Sequence, residues 1–366
     1  MASPPPSMSS IFLIIPILAL SLLLPHNAIG QTCNPKERDV LLKIKAHFKN
    51  PPSLSSWNPN TSDCSLWDGI GADDQGHVTR LRINNANDIV GPIPSFVDGL
   101  PFLKTLDFSG VPNLSGSIPV SIGNFRNLTS LSISESKVTG PIPLASVGRL
   151  TTLDMLDLRS NRLNGSIPSD FSRLTQLSYF NLNSNLLSGP IPDFIGRKLT
   201  KLNYIGLESN QLSGPIPASF SMLPVLTTLH LSQNQLVGPI PDPLGKVDVM
   251  SSVDISHNAI AGDASFLFGK KYTGLSFLYV NDNMLKFDFS NVELAPTLAI
   301  FNVSHNMIYG SLPRRFGQMK PDINYVDVSF NQLCGPIPNG RRFKTADPAI
   351  FAHNKCLCGG PLPACK

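Results

Sequence analysis

Carboxylate side chains recur in this chain at positions where a pair of them could act on a glycosidic bond. Asp107 and Asp157 stand at equivalent points of a repeating pattern, two copies apart. Glycoside hydrolysis uses two carboxyl groups about 5 to 9.5 Å apart, one of which its environment keeps protonated. Two stacked copies would separate the backbones of Asp107 and Asp157 by about 10 Å. An open sheet would also leave both groups hydrated, with nothing to raise either pKa, so the sequence predicts no hydrolase site.

Histidine and cysteine spacing likewise favours no metal centre. His257 and His305 are also equivalent residues two copies apart, about 10 Å, which is too far for both to bind one metal ion. Cys356-x-Cys358 could hold a metal, but paired cysteines in an exported chain favour disulfide bonds. The chain contains no G-x-S-x-G, P-loop or H-E-x-x-H motif. We therefore expect no metal, no cofactor and no enzymatic activity.

The pattern that positions these residues is a repeat with the skeleton L-x-x-L-x-L-x-x-N-x-L-x-G-x-I-P. A fixed period of about 20 to 29 residues with this consensus is typical of a leucine-rich-repeat solenoid. We predict an α/β repeat fold, a right-handed solenoid with a parallel concave sheet and about eleven coils over residues 78–338. The leading apolar residues of coils one to eleven are Val78, Leu103, Leu128, Leu153, Leu177, Leu202, Leu226, Met250, Leu275, Leu298 and Ile323.

One copy, Leu153 to Gln176, illustrates how the repeat builds a surface. Leu156 and Leu158 point inward, where neighbouring coils must stack to bury them. The residues between them face outward, because side chains alternate along a strand. The asparagine after each strand can pair with backbone groups of the turn, which indicates a structural role. These asparagines are Asn161, Asn185, Asn210, Asn234, Asn258, Asn283, Asn306 and Asn331.

The outward side chains of coils two to eight are the predicted binding surface. They form an acidic to neutral face with several aromatic residues, which would steer a basic partner and repel an acidic one. Exposed tyrosines are candidate anchors, since aromatic residues dominate interface energies. The alternative is that they are ordinary solvated strand residues. The candidate partner-binding residues are Thr105, Asp107, Ser130, Ser132, Met155, Asp157, Arg159, Tyr179, Asn181, Tyr204, Glu208, Thr228, His230 and Asp254.

The ends of the chain indicate export. Residues 1–30 contain no Asp, Glu, Lys or Arg. Their apolar run of about 14 residues is short for a bilayer span. Small residues precede Gln31, so we expect a cleaved signal peptide over 1–30, although it lacks a basic start. No later apolar run approaches the length of a transmembrane helix. We expect a soluble product, secreted to the extracellular space or cell wall.

Six cysteines lie outside the regular coils or at their last edge. A solenoid needs caps because its terminal coils would expose core. We expect an N-terminal cap over 31–77 and a C-terminal cap over 339–366, both disulfide-bonded. Six cysteines allow about fifteen pairings, but the two N-terminal residues are far from the other four along a rigid rod. Position therefore restricts the pairings, and among those that remain we expect Cys33–Cys64, Cys334–Cys356 and Cys358–Cys365.

Asparagine glycosylation sequons are a further surface feature, and several should carry glycan in a secreted protein. Asn302 is unusual, since it lies within a predicted strand and should point onto the concave sheet, where a glycan would block that end. Modified and unmodified Asn302 both remain open. The five sequons begin at Asn60, Asn113, Asn127, Asn164 and Asn302.

Three stretches carry a family resemblance. CNPKERDVLLKIKAHFKNPPSLSSWNPNTSDC (33–64) resembles the N-terminal cap of secreted plant leucine-rich-repeat proteins. GDASFLFG (262–269) and FAHNKCLCGGPLPACK (351–366) resemble the polygalacturonase-inhibiting proteins of plant cell walls. The resemblance covers essentially the whole mature chain. It implies that the concave sheet docks on a fungal or insect pectin-cleaving enzyme and blocks its cleft.

The chain departs from that family in two ways. It has about eleven coils where the family commonly has ten, which shifts the coil that faces a given partner. Ser65 and Ala72 stand where the family usually has a pair of cysteines, so one expected bridge is lost without leaving a free thiol.

Basic residues lie on the turns and helical sides and leave the concave face to acidic and aromatic residues. Pectin, a polyanion, is therefore a candidate second ligand, with a solubilising rim as the alternative. Nucleic acid is not expected, since no basic stripe alternates with aromatic residues. The basic residues are Arg149, Arg162, Arg173, Arg197, Lys198, Lys270, Lys271, Arg314, Arg315, Arg341 and Arg342.

These observations favour a protein that works by binding. The leading hypothesis is an inhibitor of pectin-degrading polygalacturonases in plant cell-wall defence, whose partner is a secreted polygalacturonase. The alternative is a non-inhibitory leucine-rich-repeat interaction protein of plant development or immune signalling, which binds another extracellular protein. A carbohydrate or ice binder is a third hypothesis, but Thr105 and Thr228 stand apart where ice binding would favour flat ranks of threonine.

Overall fold

The computed structural model of this 366-residue chain describes residues 33–244, 248–269, 271–314, 316, 324–340 and 343–366. The expected signal peptide lies outside the described residues, as do Lys270, Arg315, Ile323, Arg341 and Arg342. No helix within the described ranges is both long and apolar enough to cross a membrane. Those ranges also hold no group of three or more His, Cys, Asp or Glu side chains placed around one metal ion.

A twelve-stranded sheet confirms the predicted leucine-rich-repeat fold. Its first strand, Ile70–Ala72, pairs antiparallel with the second, and the remaining eleven strands are parallel and follow chain order, one for each predicted coil. We call it the concave sheet. The eleven are Val78–Arg82, Thr105–Ser109, Ser130–Ser134, Met155–Asp157, Tyr179–Asn181, Tyr204–Gly206, Thr228–His230, Ser252–Asp254, Phe277–Tyr279, Ile300–Asn302 and Tyr325–Asp327.

The segments that lead into the G-x-I-P tails pair with one another and form a second parallel sheet of seven strands. Gly189 shows why glycine suits these tails, because its φ of 80° is rarely adopted by other residues. The seven strands are Thr139–Pro141, Arg162–Gly165, Leu186–Pro190, Gln211–Gly214, Gln235–Gly238, Ala259–Gly262 and Met284–Leu285.

Smaller elements complete the coils and caps. A two-stranded ladder joins Gly91–Pro92 to Leu114–Ser115, and a three-stranded one joins Tyr309–Gly310, Gln332–Pro336 and Cys356–Cys358. The α-helices are Pro35–His47, Leu144–Val147 and Phe194–Lys198. Short 3-10 helices lie at Pro52–Leu54, Cys64–Leu66, Ser95–Gly99, Val120–Asn124, Ser169–Arg173, Ala218–Met222, Ser265–Phe268, Phe343–Thr345 and Pro348–Phe351.

The asparagine that follows the strand in coils four to eleven forms a ladder, which confirms its structural role. The Asn185 side-chain Nδ2 donates to the Leu158 carbonyl of the preceding coil at 2.9 Å and to the Leu182 carbonyl of its own coil at 3.1 Å. Its Oδ1 accepts from the N–H of Leu163 in the preceding coil at 3.0 Å. Asn354 in the C-terminal cap repeats this arrangement with Val328 and Leu333. The ladder therefore continues one position beyond the last strand of the concave sheet.

The caps close the two ends of the stack. Asn34 begins the helix Pro35–His47 by accepting the N–H groups of Lys36 and Glu37, and the helix buries Leu41 and Ile44. Disulfide bonds join Cys33 to Cys64, Cys334 to Cys356, and Cys358 to Cys365. Because Cys356 and Cys358 each belong to a bridge, the alternative of a metal site at these two residues is wrong.

Candidate binding face

Three outward columns cross the concave sheet, because equivalent residues of neighbouring strands pair in register. The first column includes Thr105, Ser130, Met155, Tyr179, Tyr204 and Thr228. The second includes Asp107, Ser132, Asp157, Asn181, Gly206, His230 and Asp254. The third, which follows the strands, contains Arg159 and Glu208. The structure therefore brings all fourteen candidate residues onto one face, as neighbours along three lines.

Aromatic rings form the middle of this face. Tyr179 and Tyr204 are register partners on adjacent coils, and their rings stack with centroids 4.5 Å apart and an angle of 11°. The His230 ring meets Tyr204 edge to face at 5.8 Å. Stacked aromatic pairs of this kind contribute about 0.5 to 1.5 kcal/mol beyond the area that they bury. The three rings are thus fixed relative to one another before any partner binds.

Amide side chains fasten the two tyrosines to the sheet. The Asn181 Nδ2 donates to the Tyr179 hydroxyl at 3.0 Å. The Asn183 Nδ2 donates to the Glu208 carboxylate at 3.1 Å and lies 3.5 Å from the Tyr204 hydroxyl. The Asn183 Oδ1 in turn accepts the N–H of Glu208 at 2.9 Å. Each of these polar groups therefore holds a neighbour on the same or the next coil.

Arg159 joins two acidic side chains, one on its own coil and one on the preceding coil. Its guanidinium donates to Asp157 at 2.6 Å and to Glu135 at 3.0 Å, so one cation bridges two carboxylates. The Asp157 carboxylate also accepts the N–H of Arg159 at 3.1 Å. We call Glu135, Asp157, Arg159, Tyr179, Asn181, Asn183, Tyr204, Glu208 and His230 the central network.

Burial within the central network contradicts one prediction from the sequence. Ser132, Asp157 and Asn181 point outward as predicted but are nearly inaccessible, with Asp157 only 2% exposed. The expectation that nothing raises a carboxyl pKa on an open sheet is wrong at this residue. Burial raises the pKa of Asp157 despite its contacts with Arg159. Neighbouring side chains cover these outward residues. The alternation of side chains along a strand cannot predict this burial.

Burial also affects two accessible members of the network. It raises the pKa of Glu208, an effect opposed by the nearby His230 and increased by Asp254. It raises the pKa of Tyr204 to about 12, so the hydroxyl stays protonated and available to donate. A partner group that hydrogen-bonds to Tyr204 or pairs with Glu208 would meet side chains that are already partly dehydrated.

The remaining candidate residues extend the face on both sides of the network. Asp107 accepts from Asn84 at 3.1 Å and from Ser109, whose hydroxyl shares a hydrogen bond with Ser132 at 2.8 Å. Asp254 is held by the hydroxyl of Ser256 at 2.7 Å. Thr105, Ser130, Met155 and Thr228 are half-buried in the first column.

Two residues of this face were missed as site residues from the sequence. Asn183 ties Tyr204 to Glu208, and Gly206 leaves room for that contact. A Cβ at Gly206 would lie 2.8 Å from both the Asn183 Oδ1 and the Tyr204 ring. Glycine inside a strand often marks such a close approach, so Gly206 carried a usable signal. Asn183 carried none, because its role depends on side chains of the next coil.

Coils nine to eleven show a different surface. Phe277, Ile300 and Tyr325 are register partners in the first column, and Phe277 and Tyr325 are 41% and 44% exposed. We call these three residues the C-terminal patch. Away from the concave sheet, the described basic residues of the turns and helical sides are exposed to solvent. They are Arg149, Arg162, Arg173, Arg197, Lys198, Lys271 and Arg314.

Comparison with known proteins identifies the family. Residues 34–71 match the leucine rich repeat N-terminal domain, and residues 152–174 and 225–247 match the leucine rich repeat. Polygalacturonase inhibitor 1 of Arabidopsis thaliana is 48% identical over 337 residues, which are 91% of this chain and 93% of the relative. The chain belongs to the plant polygalacturonase-inhibitor family. Polygalacturonase inhibitor 2 of the same plant is 40% identical over 353 residues, 96% and 98% of the two chains.

Solved structures support the architecture of this family member. A plant ice-binding protein superposes with a TM-score of 0.71 and 35% sequence identity, covering 92% of this chain and 99% of that protein. The same scaffold therefore supports a different ligand in a related protein. The function of each such protein therefore has to be argued from its own surface residues and not from the shared fold.

Proposed function

We propose that this chain inhibits a pectin-degrading polygalacturonase by covering it with the concave face of coils two to eight. The observation that carries the proposal is the central network, in which rings, amides and carboxylates are held in place before binding. Preorganised side chains lose less conformational entropy on association, which favours affinity. Tyr179 and Tyr204 are the anchors, since tyrosine is enriched among residues that dominate binding energy.

Charge is the second support for a protein partner. Asp107, Glu135, Glu208 and Asp254 place negative charge around the two tyrosines, and Arg82 and Arg159 offset only part of it. Such a face attracts a partner with basic residues around its cleft and speeds the encounter. The proposed target is therefore a secreted polygalacturonase whose substrate cleft, which must bind a polyanion, is rimmed by cationic side chains.

Binding without catalysis is part of the same proposal. Both oxygens of Asp157 accept hydrogen bonds from Arg159, so its carboxylate is occupied and cannot reach a substrate without losing them. We place the mature protein in the extracellular space or cell wall, after removal of residues 1–30. Its solenoid would extend over residues 78–338 between caps at 31–77 and 339–366. Glycans at sequons on the convex and lateral sides would leave the face of coils two to eight free.

Inhibition is tested by secreting the mature chain, residues 31–366, and assaying it against a panel of fungal and insect polygalacturonases. We expect at least one enzyme to lose activity on polygalacturonate and to co-elute with the chain. The matched variants are Tyr204→Ala within the central network and Tyr325→Ala outside it, and only the first should weaken inhibition. If every enzyme stays active and unbound, the proposal fails and a non-inhibitory interaction protein takes its place.

Pectin is proposed as a second ligand, held by the exposed basic residues of the turns. The lateral position of Arg173 and Arg197 would leave the concave face free for the enzyme. Retention on immobilised polygalacturonate should fall steeply with salt, since exposed charges are screened. Methyl-esterified pectin is the control, and equal retention on both materials would contradict an ionic tether.

A further inference from the structure

The C-terminal patch is an apolar area of the concave face that lies outside the central network. Phe277, Ile300 and Tyr325 lie side by side on coils nine, ten and eleven, beyond the coils proposed to bind the enzyme. Contiguous exposed apolar side chains mark a surface that a partner or an attached group contacts. Phe277 and Tyr325 are the exposed members of this patch, and Ile300 lies half-buried between them.

Asn302 lies in the column beside this patch and begins the sequon Asn302-Val303-Ser304. Its register partners are Tyr279 on one side and Asp327 on the other. The Tyr325 hydroxyl lies close to Asp327, which places aromatic side chains next to Asn302 on both neighbouring coils. An addition to the Asn302 amide would therefore emerge among the residues of the C-terminal patch.

Asn181 occupies the same column position and shows how such an amide can be closed off. It is 2% exposed, and its Nδ2 donates to the Tyr179 hydroxyl two residues earlier. The residue two positions before Asn302 is Ile300, whose side chain has no hydrogen-bond acceptor. The Asn302 Oδ1 accepts the N–H of Ser304 at 2.9 Å, whereas its Nδ2 has no hydrogen-bond partner among the residues that the structure describes.

We propose that Asn302 carries an N-linked glycan, and that this glycan covers the C-terminal patch and closes coils nine to eleven to protein partners. In the transfer, the Asn302 Nδ2 bonds to C1 of the first N-acetylglucosamine of a polyprenyl-diphosphate oligosaccharide. The C1–O bond breaks, the diphosphate leaves with that electron pair, and Nδ2 loses one proton. The inference is independent of which enzyme the chain inhibits.

The chemistry of the site fits a neutral sugar. An N-acetylglucosamine ring has an apolar C–H face that can pack on an aromatic ring, while its hydroxyl and amide groups stay in water. Tyr279 and Tyr325 supply rings with a polar tip, a combination suited to a surface that is apolar at one end and wet at the other. Neutral sugar also leaves the charge of Asp327 undisturbed.

Asn113 is the contrasting sequon. Its Nδ2 donates to the Asn87 carbonyl at 2.9 Å and its Oδ1 accepts from Lys137 at 3.1 Å, so a glycan there would break contacts between coils. Asn60, Asn127 and Asn164 are exposed but lie off the concave sheet. Asn302 is thus the sequon whose occupancy would change what the concave face can bind.

Peptide mapping tests the proposal on the full chain secreted from a eukaryotic host. Trypsin cleavage after Lys286 and Arg314 releases residues 287–314, which contain Asn302 as their sole sequon. Mass spectrometry should find this peptide carrying a glycan in most molecules. Recovery of the peptide mainly in its unmodified form would overturn the proposal. Ser304→Ala should abolish the modification, and Ser304→Thr, which keeps the sequon, should retain it.

Coverage of the patch has its own readout. Unglycosylated chain, from Ser304→Ala or from a bacterial periplasmic host, should bind a hydrophobic fluorescent dye several-fold more strongly than the glycosylated chain. Phe277→Ser in the unglycosylated chain should remove most of that increase. Equal dye binding by the glycosylated and unglycosylated forms would show that the glycan does not cover these residues. The bacterial chain keeps this test valid if Ser304→Ala fails to fold.

Discussion

Coils four to seven and coils nine to eleven present equivalent strand positions, yet their outward side chains differ. Those of the first region are largely buried and hydrogen-bonded to one another, whereas those of the second are more exposed to solvent. Asn181 and Asn302 share a column, but the first is locked to Tyr179 and the second ends beside Ile300. The central network turns strand residues into buried, interlocked groups, whereas the C-terminal patch leaves apolar side chains in solvent. Accessibility on a concave sheet is thus decided by side chains on neighbouring coils.

Adding a side chain at Gly206 should have the largest effect on the difference in packing between the central network and the C-terminal patch. Gly206→Val would drive side-chain atoms into Asn183 and Tyr204, and overpacking of this kind costs about 1 to 3 kcal/mol. We expect a lower free energy of unfolding in urea and loss of polygalacturonase inhibition. Ile300→Val in the C-terminal patch is the control, and it should lose under about 1 kcal/mol with inhibition intact. Equal effects of the two variants would mean that the central network is no more tightly packed than the patch.

Removing one anchor tests where the binding energy resides. Tyr204→Ala deletes a ring stacked on Tyr179, and loss of an interface anchor costs about 2 kcal/mol or more. The dissociation constant for the inhibited enzyme should therefore rise about 30-fold, as measured by titration calorimetry. Tyr325→Ala is matched in chemistry and column but lies in the C-terminal patch, so the dissociation constant should not change. A larger loss for Tyr325→Ala would move the binding face to coils nine to eleven.

The sequence predicted the scaffold better than it predicted the surface. Leading leucines at a fixed period and a recurring asparagine specify each coil by themselves, so the eleven parallel strands and the asparagine ladder followed directly. Burial of Asp157 could not be predicted in this way, since it depends on how neighbouring side chains such as Arg159 lie across the sheet. The second parallel sheet was missed because its strands are only two to five residues long and six of the seven contain a glycine, which indicates a turn in a sequence.

Substitution of Arg159 should affect stability and inhibition less than substitution of Tyr204. Arg159→Lys keeps the positive charge but cannot donate to Asp157 and Glu135 in the same fork geometry. The guanidinium is partly exposed, so water screens the pair and the loss of stability should stay under about 1 kcal/mol. Inhibition should weaken only a few-fold, as an enzyme titration would measure. Arg197→Lys is the control and should leave inhibition unchanged, because Arg197 lies on the helix Phe194–Lys198 away from the face and pairs with Asp193 just before that helix. A loss as large as that of Tyr204→Ala would make Arg159 a direct contact.

The smallest expected effect is a pH dependence of stability at Glu208. Its pKa is raised by burial, so the folded chain holds a proton here at pH values where the unfolded chain has released it. The free energy of unfolding contributed by this group therefore falls as the pH rises above 4.5, the ordinary value. Glu208→Gln removes the titration, and its stability relative to wild type should improve from acidic to neutral pH. Urea midpoints at several pH values measure the difference.

Asp288 is the control for the sign of that effect. Hydrogen bonds from Ser290 lower its pKa, so its contribution is present at neutral pH and is lost as the pH falls below 3.8. Asp288→Asn should thus become less stable relative to wild type from acidic to neutral pH, opposite to Glu208→Gln. Parallel trends for the two variants would contradict the assignment of burial as the cause at Glu208.

The asparagine ladder has a direction. Each amide reaches back to the coil made before it, as Asn185 does to Leu158 and Leu163, so a coil's backbone groups are satisfied only when the next coil arrives. Ribosomes synthesise the coils in that same order. At any moment during synthesis, only the last coil made would therefore lack the asparagine that pairs with its backbone groups. Asn354 of the C-terminal cap supplies the last of these amides. The backbone groups of the final coil are therefore paired only after the cap has been synthesised.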